Sequence, residues 1–230
     1  MMFEELRRRV VTANLELVRL ELAILTFGNA SAVDRDAGVM AIKPSGVPYH
    51  ELTAESVPVL DLAHGTMLDG ERRPSSDTPT HLTLYRVFGE IGGIVHVHSP
   101  YATAWAQACL PIPCLGTTHA DHFRGPVPVT RTLTREEIAG GYEQATGKAI
   151  VELGLDPASM PAALVASHAP FTWGRDIESA VENAVALEAV AASTYRALVL
   201  RSDCVSIDDG LLAKHFDRKH GPGAYYGQPT

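Results

Sequence analysis

The sequence predicts an α/β domain in which helices cover a sheet. Three observations predict it. Short apolar runs rich in β-formers are broken by turn residues, segments of helical period alternate with them, and 46% hydrophobic with 20% charged residues is ordinary for a globular chain. Nothing in a length of 230 residues forces a division, and without repeats, low-complexity tracts or linkers the chain reads as one domain over residues 1–230.

Leu6, Val10, Ala13, Leu17 and Leu20 recur at spacings of three and four, which predicts an opening helix with one apolar face. "LTFGNASAVDRDAGVMAIKPSG" is broken at Gly28-Asn29 and at Asp36-Ala37-Gly38, so it reads as two strands joined by a hairpin-like turn. In "PSSDTPTHLTLYRVFGE" a loop of small polar residues leads to a helix with Thr78 as its N-cap and Pro79 at its first position; Leu82, Tyr85 and Phe88 follow in register. "GGIVHVH" is a strand and "SPYATAWAQAC" a helix, while "VPVTRTL" and "AALVASH" read as further strands. Between those two, "TREEIAGGYEQATGKAIVELGL" is mainly helical, with a capping box from Thr134 to Glu137. A long Ala-rich helix follows Asp176, and a shorter one, "DDGLLAKHFDRKH", precedes a Gly-rich tail.

A formal net charge of −8 argues against a nucleic-acid footprint, which needs a basic face. The start "MMFEELRRRVV" lacks an apolar signal core, and no run of about 20 apolar residues occurs, so the expectation is a soluble, cytoplasmic protein with no membrane partner. Three irregularly spaced cysteines, Cys109, Cys114 and Cys204, suit neither a disulfide framework nor a Cys-rich zinc module.

His96 and His98 stand one residue apart, so in a strand both imidazoles would face the same way. His168 ends another apolar run just before a turn, and Asp77 in "SSDTPTH" offers a carboxylate. Each histidine singly reads equally well as a satisfied core or surface residue; their shared placement at strand ends favours a metal site. Three neutral imidazoles leave a zinc-like ion its full charge, with which it can polarise a carbonyl and hold an enediolate. "KPSG" (residues 43–46) and "PSS" (residues 74–76) combine a cation, hydroxyls and backbone amides that can curve round an anion. Either loop alone is an ordinary turn; the two beside a candidate metal site suggest a phosphorylated substrate. Asp121 in "GTTHADHF", and Tyr225 and Tyr226 in the tail, gain interest only if something places them at the metal.

Seven motifs in order, "LTFGNASAVD", "IKPSGV", "PSSDTPTHLTLY", "GGIVHVHS", "GTTHAD", "SHAPFTWG" and "KHGPGAYYGQ", resemble the L-ribulose-5-phosphate 4-epimerase family of the class II aldolase/epimerase superfamily across nearly the whole chain. The resemblance implies a three-layer α/β/α fold with a mostly antiparallel central sheet. It implies Asp77, His96, His98 and His168 as ligands of one divalent metal, usually zinc, with manganese or cobalt as alternatives. It implies Gly28, Asn29, Lys43, Ser45, Gly46, Ser75 and Ser76 as the pocket for the phosphate end of the sugar. Asp121 and Tyr226 are the implied proton-transfer pair, delivered from the neighbouring subunit of a fourfold homotetramer, with Thr117, Glu143, His215 and Arg218 as auxiliary candidates.

The implied reaction is epimerisation of L-ribulose 5-phosphate to D-xylulose 5-phosphate by retro-aldol opening and re-closure of C3–C4 through a metal-held enediolate. It would serve the breakdown of L-arabinose, L-ascorbate or L-xylulose. A class II aldolase, such as one acting on L-fuculose 1-phosphate, is the nearest rival, distinguished by Glu where this chain has Asp77. A non-catalytic scaffold domain of the same fold, as in adducins, is the rival from another class. His122 and Arg124 stand where the family carries aromatic residues, and residues 153–161 are slightly shortened, which bears on substrate preference.

Overall fold

The computed structural model describes residues 2–226. The opening periodicity becomes helix α1 (Glu4–Arg19), whose buried apolar face is Leu6, Val10, Ala13 and Leu17; Leu20 is its C-cap. Strands β1 (Asn29–Asp34) and β2 (Val39–Ile42) form the expected hairpin, and Gly38 takes a positive φ of 66° in its turn. Two 3-10 turns (Tyr49–Glu51 and Ala54–Ser56) lead into β3 (Val59–Asp61) and β4 (Met67–Asp69), two short strands the sequence did not announce. Helix α2 (Thr78–Val87) takes Asp77, not Thr78, as its N-cap, with Pro79 in its first turn.

Next come β5 (Gly93–His96), α3 (Pro100–Gln107), a one-turn α4 (Thr117–Ala120) and α5 (Arg135–Val151). The capping box is present: Glu137 N donates to Thr134 Oγ1 at 3.2 Å and Thr134 N to Glu137 Oε2 at 2.8 Å. Strands β6 (Ala162–Leu164) and β7 (Pro170–Gly174) precede α6 (Ile177–Leu200), capped by Asp176, and α7 (Asp209–His220). "VPVTRTL" is not a strand: Val127 and Val129 make only isolated bridges, to Ile112 and Leu164. Val127 exchanges a pair of backbone hydrogen bonds with Ile112, and Leu164 N donates to Pro128 O while its carbonyl accepts from Thr130 N, without a ladder.

The sheet order is β4-β3-β2-β1-β5-β7-β6, and every strand pair in it is antiparallel. Because side chains alternate faces along a strand, Val39, Ala41, Val59 and Val95 pack with α1 and the start of α6. Met40, Ile42, Leu60, Ile94, Phe171 and Trp173 pack on the other side with α2 and α5. The result is the three-layer α/β/α arrangement, with β5 an interior strand that packs against both layers. No helix among the described residues is long and apolar enough to cross a membrane.

Two contacts fix the ends of β1 and β5. The Asn14 side chain, buried on α1, accepts from Ala30 N at 2.9 Å and donates to Ala30 O at 3.1 Å, so the start of β1 is clamped to a helix. At the start of β5 the chain runs against α6 so closely that a Cβ on Gly93 would fall far inside van der Waals contact with the Ile177 Cα. Backbone cannot yield as a side chain can. Gly93→Ala should therefore cost about 3 kcal/mol, read as a lower urea midpoint; a wild-type midpoint would contradict this packing.

Candidate metal centre

His96 is the last residue of β5 and is buried, paired across the ladders with Asn29 of β1 and Phe171 of β7. Its Nδ1 lies 2.9 Å from Pro170 O, an acceptor only, so Nδ1 carries the proton and Nε2 is a free lone pair. The ring also stacks on Phe171 at a centroid distance of 4.2 Å. His98 lies two residues beyond the strand, between the buried Val97 and Ser99 on the chain leading to α3, and its Nε2 is 3.2 Å from that of His96. His168 is not at a strand end either: it occupies the bend between β6 and β7, where its N–H donates to Val165 O. Its Nδ1 is 3.1 Å from the Tyr142 hydroxyl.

One nitrogen from each of His96, His98 and His168 lies within 4.8 Å of the others. Around a tetrahedral ion with metal–nitrogen bonds of about 2.05 Å, nitrogens stand about 3.3 Å apart, so the 3.2 Å pair already has ligand spacing. Burial, then the charges of its neighbouring rings, pulls the His168 pKa down to about 4, and burial with His96 lowers that of His98. Both are neutral near pH 7 and offer lone pairs. These residues fit a divalent cation.

Asp77 stands outside this three-nitrogen cluster. Its Oδ2 accepts from Asn29 Nδ2 at 2.7 Å. Burial opposes its charge, yet the nearby His96 and His81 rings and the Asn29 bond hold its pKa below the usual carboxylate value. Asn29 also donates to Ser75 Oγ at 3.1 Å, and its buried Oδ1 has no partner among the described residues. Gly28 is required beside it: with φ at +78°, a Cβ there would meet His96 O at 2.7 Å.

The two anion-loop candidates are joined to each other. Ser75 N donates to Lys43 O at 3.0 Å and Ser45 N to Arg73 O at 2.9 Å, around a Pro44–Pro74 bridge. Ser45, Gly46 and Ser76 are exposed at this edge, while Ser75 is buried. Lys43 is 2% exposed, yet among the described residues its ammonium has only Thr26 O at 3.5 Å and the face of Tyr49 at 4.7 Å. Burial lowers its pKa. A buried cation this short of acceptors is suited to an arriving anion.

Asp121 and Tyr226 are brought together, but not at the histidines. Asp121 accepts from Arg218 Nε at 2.9 Å and Nη2 at 2.6 Å and contacts His215 Nδ1 at 3.1 Å; the Arg218 guanidinium lies 4.9 Å from the Tyr226 ring centre. His122, Lys219 and His220 line a cavity of about 480 Å³ with Gly174 and Arg175, at the opposite end of the β5–β7 pair from His96. Tyr226 is exposed, as is Tyr225, and residues 227–230, the end of the last motif, lie outside the described residues. Thr117 opens α4 at the rim of a separate small cavity, and Glu143 is engaged through its backbone oxygen by Thr80.

Sequence reasoning missed Tyr142 and His81. His81 is fully buried one turn after Asp77, with Nδ1 2.7 Å from Ser31 Oγ and its pKa driven by burial to about 3. The spacing of four from Asp77 on a helix was the available signal.

The chain belongs to the family described as the class II aldolase and adducin N-terminal domain, whose model matches residues 8–195. Among solved structures it is similar to an L-fuculose 1-phosphate aldolase, at 25% identity and a TM-score of 0.80, over 93% of this chain and 95% of that one. It is similar also to YgbL from Klebsiella pneumoniae, whose own reaction is left open between aldolase, epimerase and decarboxylase, at 26% identity and a TM-score of 0.75, over 93% and 99% of the two chains. An L-fuculose-1-phosphate aldolase from Thermus thermophilus shares the fold, at 22% identity and a TM-score of 0.68, over 86% and 97% of the two chains.

Burial opposes the charge of Asp121, but Arg218 and His215 outweigh it and depress its pKa. A depressed carboxylate stabilises the fold above the ordinary range near pH 4 and loses that contribution as pH falls through the depressed value. Asp121→Asn should thus lower stability by about 2 kcal/mol at pH 7 and by far less near pH 2. Urea midpoints at the two pH values check this, and an equal loss at both would exclude the ionic tie.

Proposed function

We propose that the protein is a metal-dependent epimerase interconverting L-ribulose 5-phosphate and D-xylulose 5-phosphate. The observation that carries the reading is the convergence of three imidazoles, two of which have their other ring nitrogen committed to a partner. His96, His98 and His168 would hold the ion, with Asp77 close enough to complete or balance its shell. A divalent ion there supplies Lewis acidity toward the oxygens next to the bond that breaks.

The remaining work falls to the chain. C4 of the sugar is not adjacent to the C2 carbonyl, so its hydrogen is not acidic and inversion requires the C3–C4 bond to open. A base takes the C4 hydroxyl proton, the bonding pair moves to C3, and glycolaldehyde phosphate separates from a three-carbon enediolate. Lys43, with the hydroxyls and amides of Ser45, Gly46, Ser75 and Ser76, would grip the phosphate and keep the aldehyde from leaving while it turns its other face. Asn29, set in place by the close backbone approach at Gly28, would orient the sugar. Asp121, held ionised, is the acceptor of the pair and Tyr226 the donor, on opposite faces, with Arg218 and His215 fixing their relation.

The short Asp77 carboxylate, occupied by Asn29, favours epimerisation over the aldolase alternative, in which a longer Glu takes part in proton transfer. The imidazole cluster and the under-coordinated Lys43 argue against a scaffold role. Purified enzyme given L-ribulose 5-phosphate should accumulate D-xylulose 5-phosphate, losing activity on chelation and regaining it with zinc, manganese or cobalt. Free glycolaldehyde phosphate as the main product would instead make the protein an aldolase.

The separation of Asp121 and Tyr226 from the histidines supports a site shared between copies in a fourfold ring. His96→Asn and Tyr226→Phe proteins should each be nearly inactive, and co-expression should restore activity. With random equal mixing, about a quarter of sites combine two intact halves. No recovery, with mixing confirmed by mass spectrometry, would return the site to a single chain.

A further inference from the structure

We propose that Tyr142 is a positioning residue for the metal centre: its hydroxyl oxygen accepts the Nδ1 proton of His168 and thereby turns the His168 Nε2 lone pair toward the other two imidazoles. The inference rests on the reading of the three histidines as a metal site. His96 already has such a partner, since its Nδ1 donates to Pro170 O at 2.9 Å. Among the described residues no carbonyl takes that place for His168; the group within reach of its Nδ1 is the Tyr142 hydroxyl, at 3.1 Å. A neutral imidazole carries one proton, so a ring that donates from Nδ1 presents a bare Nε2. Without that acceptor the proton can move to Nε2 and close the ligand position.

The fold presents Tyr142 deliberately. Helix α5 is interrupted at Gly141, where φ is 156° and ψ 66°, so Tyr142 opens the second helical segment rather than continuing the first. That segment is fixed to α2. Thr80 Oγ1 donates to Glu143 O at 2.6 Å, and a Cβ on Gly147 would lie 2.8 Å from Thr83 Cβ, so the two helices touch through a position with no side chain. Thr146 Oγ1 ties back to Tyr142 O at 2.9 Å. His168 is held independently, through its own N–H to Val165 O and through Ser167 N to Ala106 O at 2.8 Å. Two separately anchored elements thus meet at one hydrogen bond, as a device that aims a ring requires. A side chain that only filled space would need no oxygen there.

The test measures metal affinity rather than turnover. Metal-free wild type, Tyr142→Phe and Gly141→Ala are titrated with cobalt(II) against a chromogenic chelator of known affinity, and the visible spectrum of each loaded protein is recorded. Tyr142→Phe keeps the ring and should keep the urea midpoint of the metal-free protein, yet bind cobalt about 10-fold or more weakly with shifted absorption bands. Gly141→Ala keeps the phenol but strains the backbone that presents it, and should weaken binding in the same direction, which covers the case of a Tyr142→Phe chain that fails to fold. Cobalt binding and spectra in both variants matching a wild type that loads normally would overturn the inference alone. A wild type that takes up no cobalt would overturn the metal reading and this inference with it.

Discussion

The interior position of β5, with a partner on each side, is the constraint on which the site depends. Paired with β1 on one side and β7 on the other, it sets Asn29, His96 and Phe171 in one row across three strands. That row decides most of the local arrangement. Asn29 reaches Ser75 and Asp77, Phe171 supports the His96 ring, and the residue before Phe171 supplies the carbonyl that sets which nitrogen of His96 is free. The hydrogen-bond register of the ladder, not the side chains alone, makes these residues neighbours. At the other end of β5 the same strand needs Gly93, because α6 starts against its backbone. One short strand is thus pressed by packing at its start and carries chemistry at its end.

Electrostatically the site runs against the chain as a whole. The protein is acidic, with a formal net charge of −8, yet beside the candidate site it buries the Lys43 ammonium with few acceptors among the described residues. Two acidic groups of the candidate site are already engaged: Asp77 by Asn29, and Asp121 by Arg218 and His215. Local pairing therefore sets the field inside the candidate site, while the net charge acts mainly at longer range, where salt screens it.

Much of this was legible in the sequence. The helices α1, α5, α6 and α7 follow from period and capping residues, and the hairpin of β1 and β2 from its turn. Short elements were not: β3 and β4 have three residues each, too few to show a period, and Val127 and Val129 have strand composition without a neighbour to ladder with. The histidines were found for a reason only partly right. His96 ends a strand, but His98 and His168 sit on loops, and tertiary placement, not strand alternation, brings the three rings together. Tyr142 was invisible because its partner lies 26 residues away and their meeting depends on a helix break. The resemblance placed Asp121 and Tyr226 in one functional pair, and in the chain they share Arg218 at a distance from the histidines.

The two loops joined through Lys43–Ser75 and Ser45–Arg73 behave mechanically as one piece. Their conformational entropy is surrendered when the chain folds, not when a ligand arrives, and each loop holds the other's backbone amides and hydroxyls in a shape neither would keep alone. A ligand docking there would meet a surface already shaped and spend little of its interaction energy on ordering protein. Stiffness at this edge would hold whatever docks there in one register, which a looser pair of loops could not do.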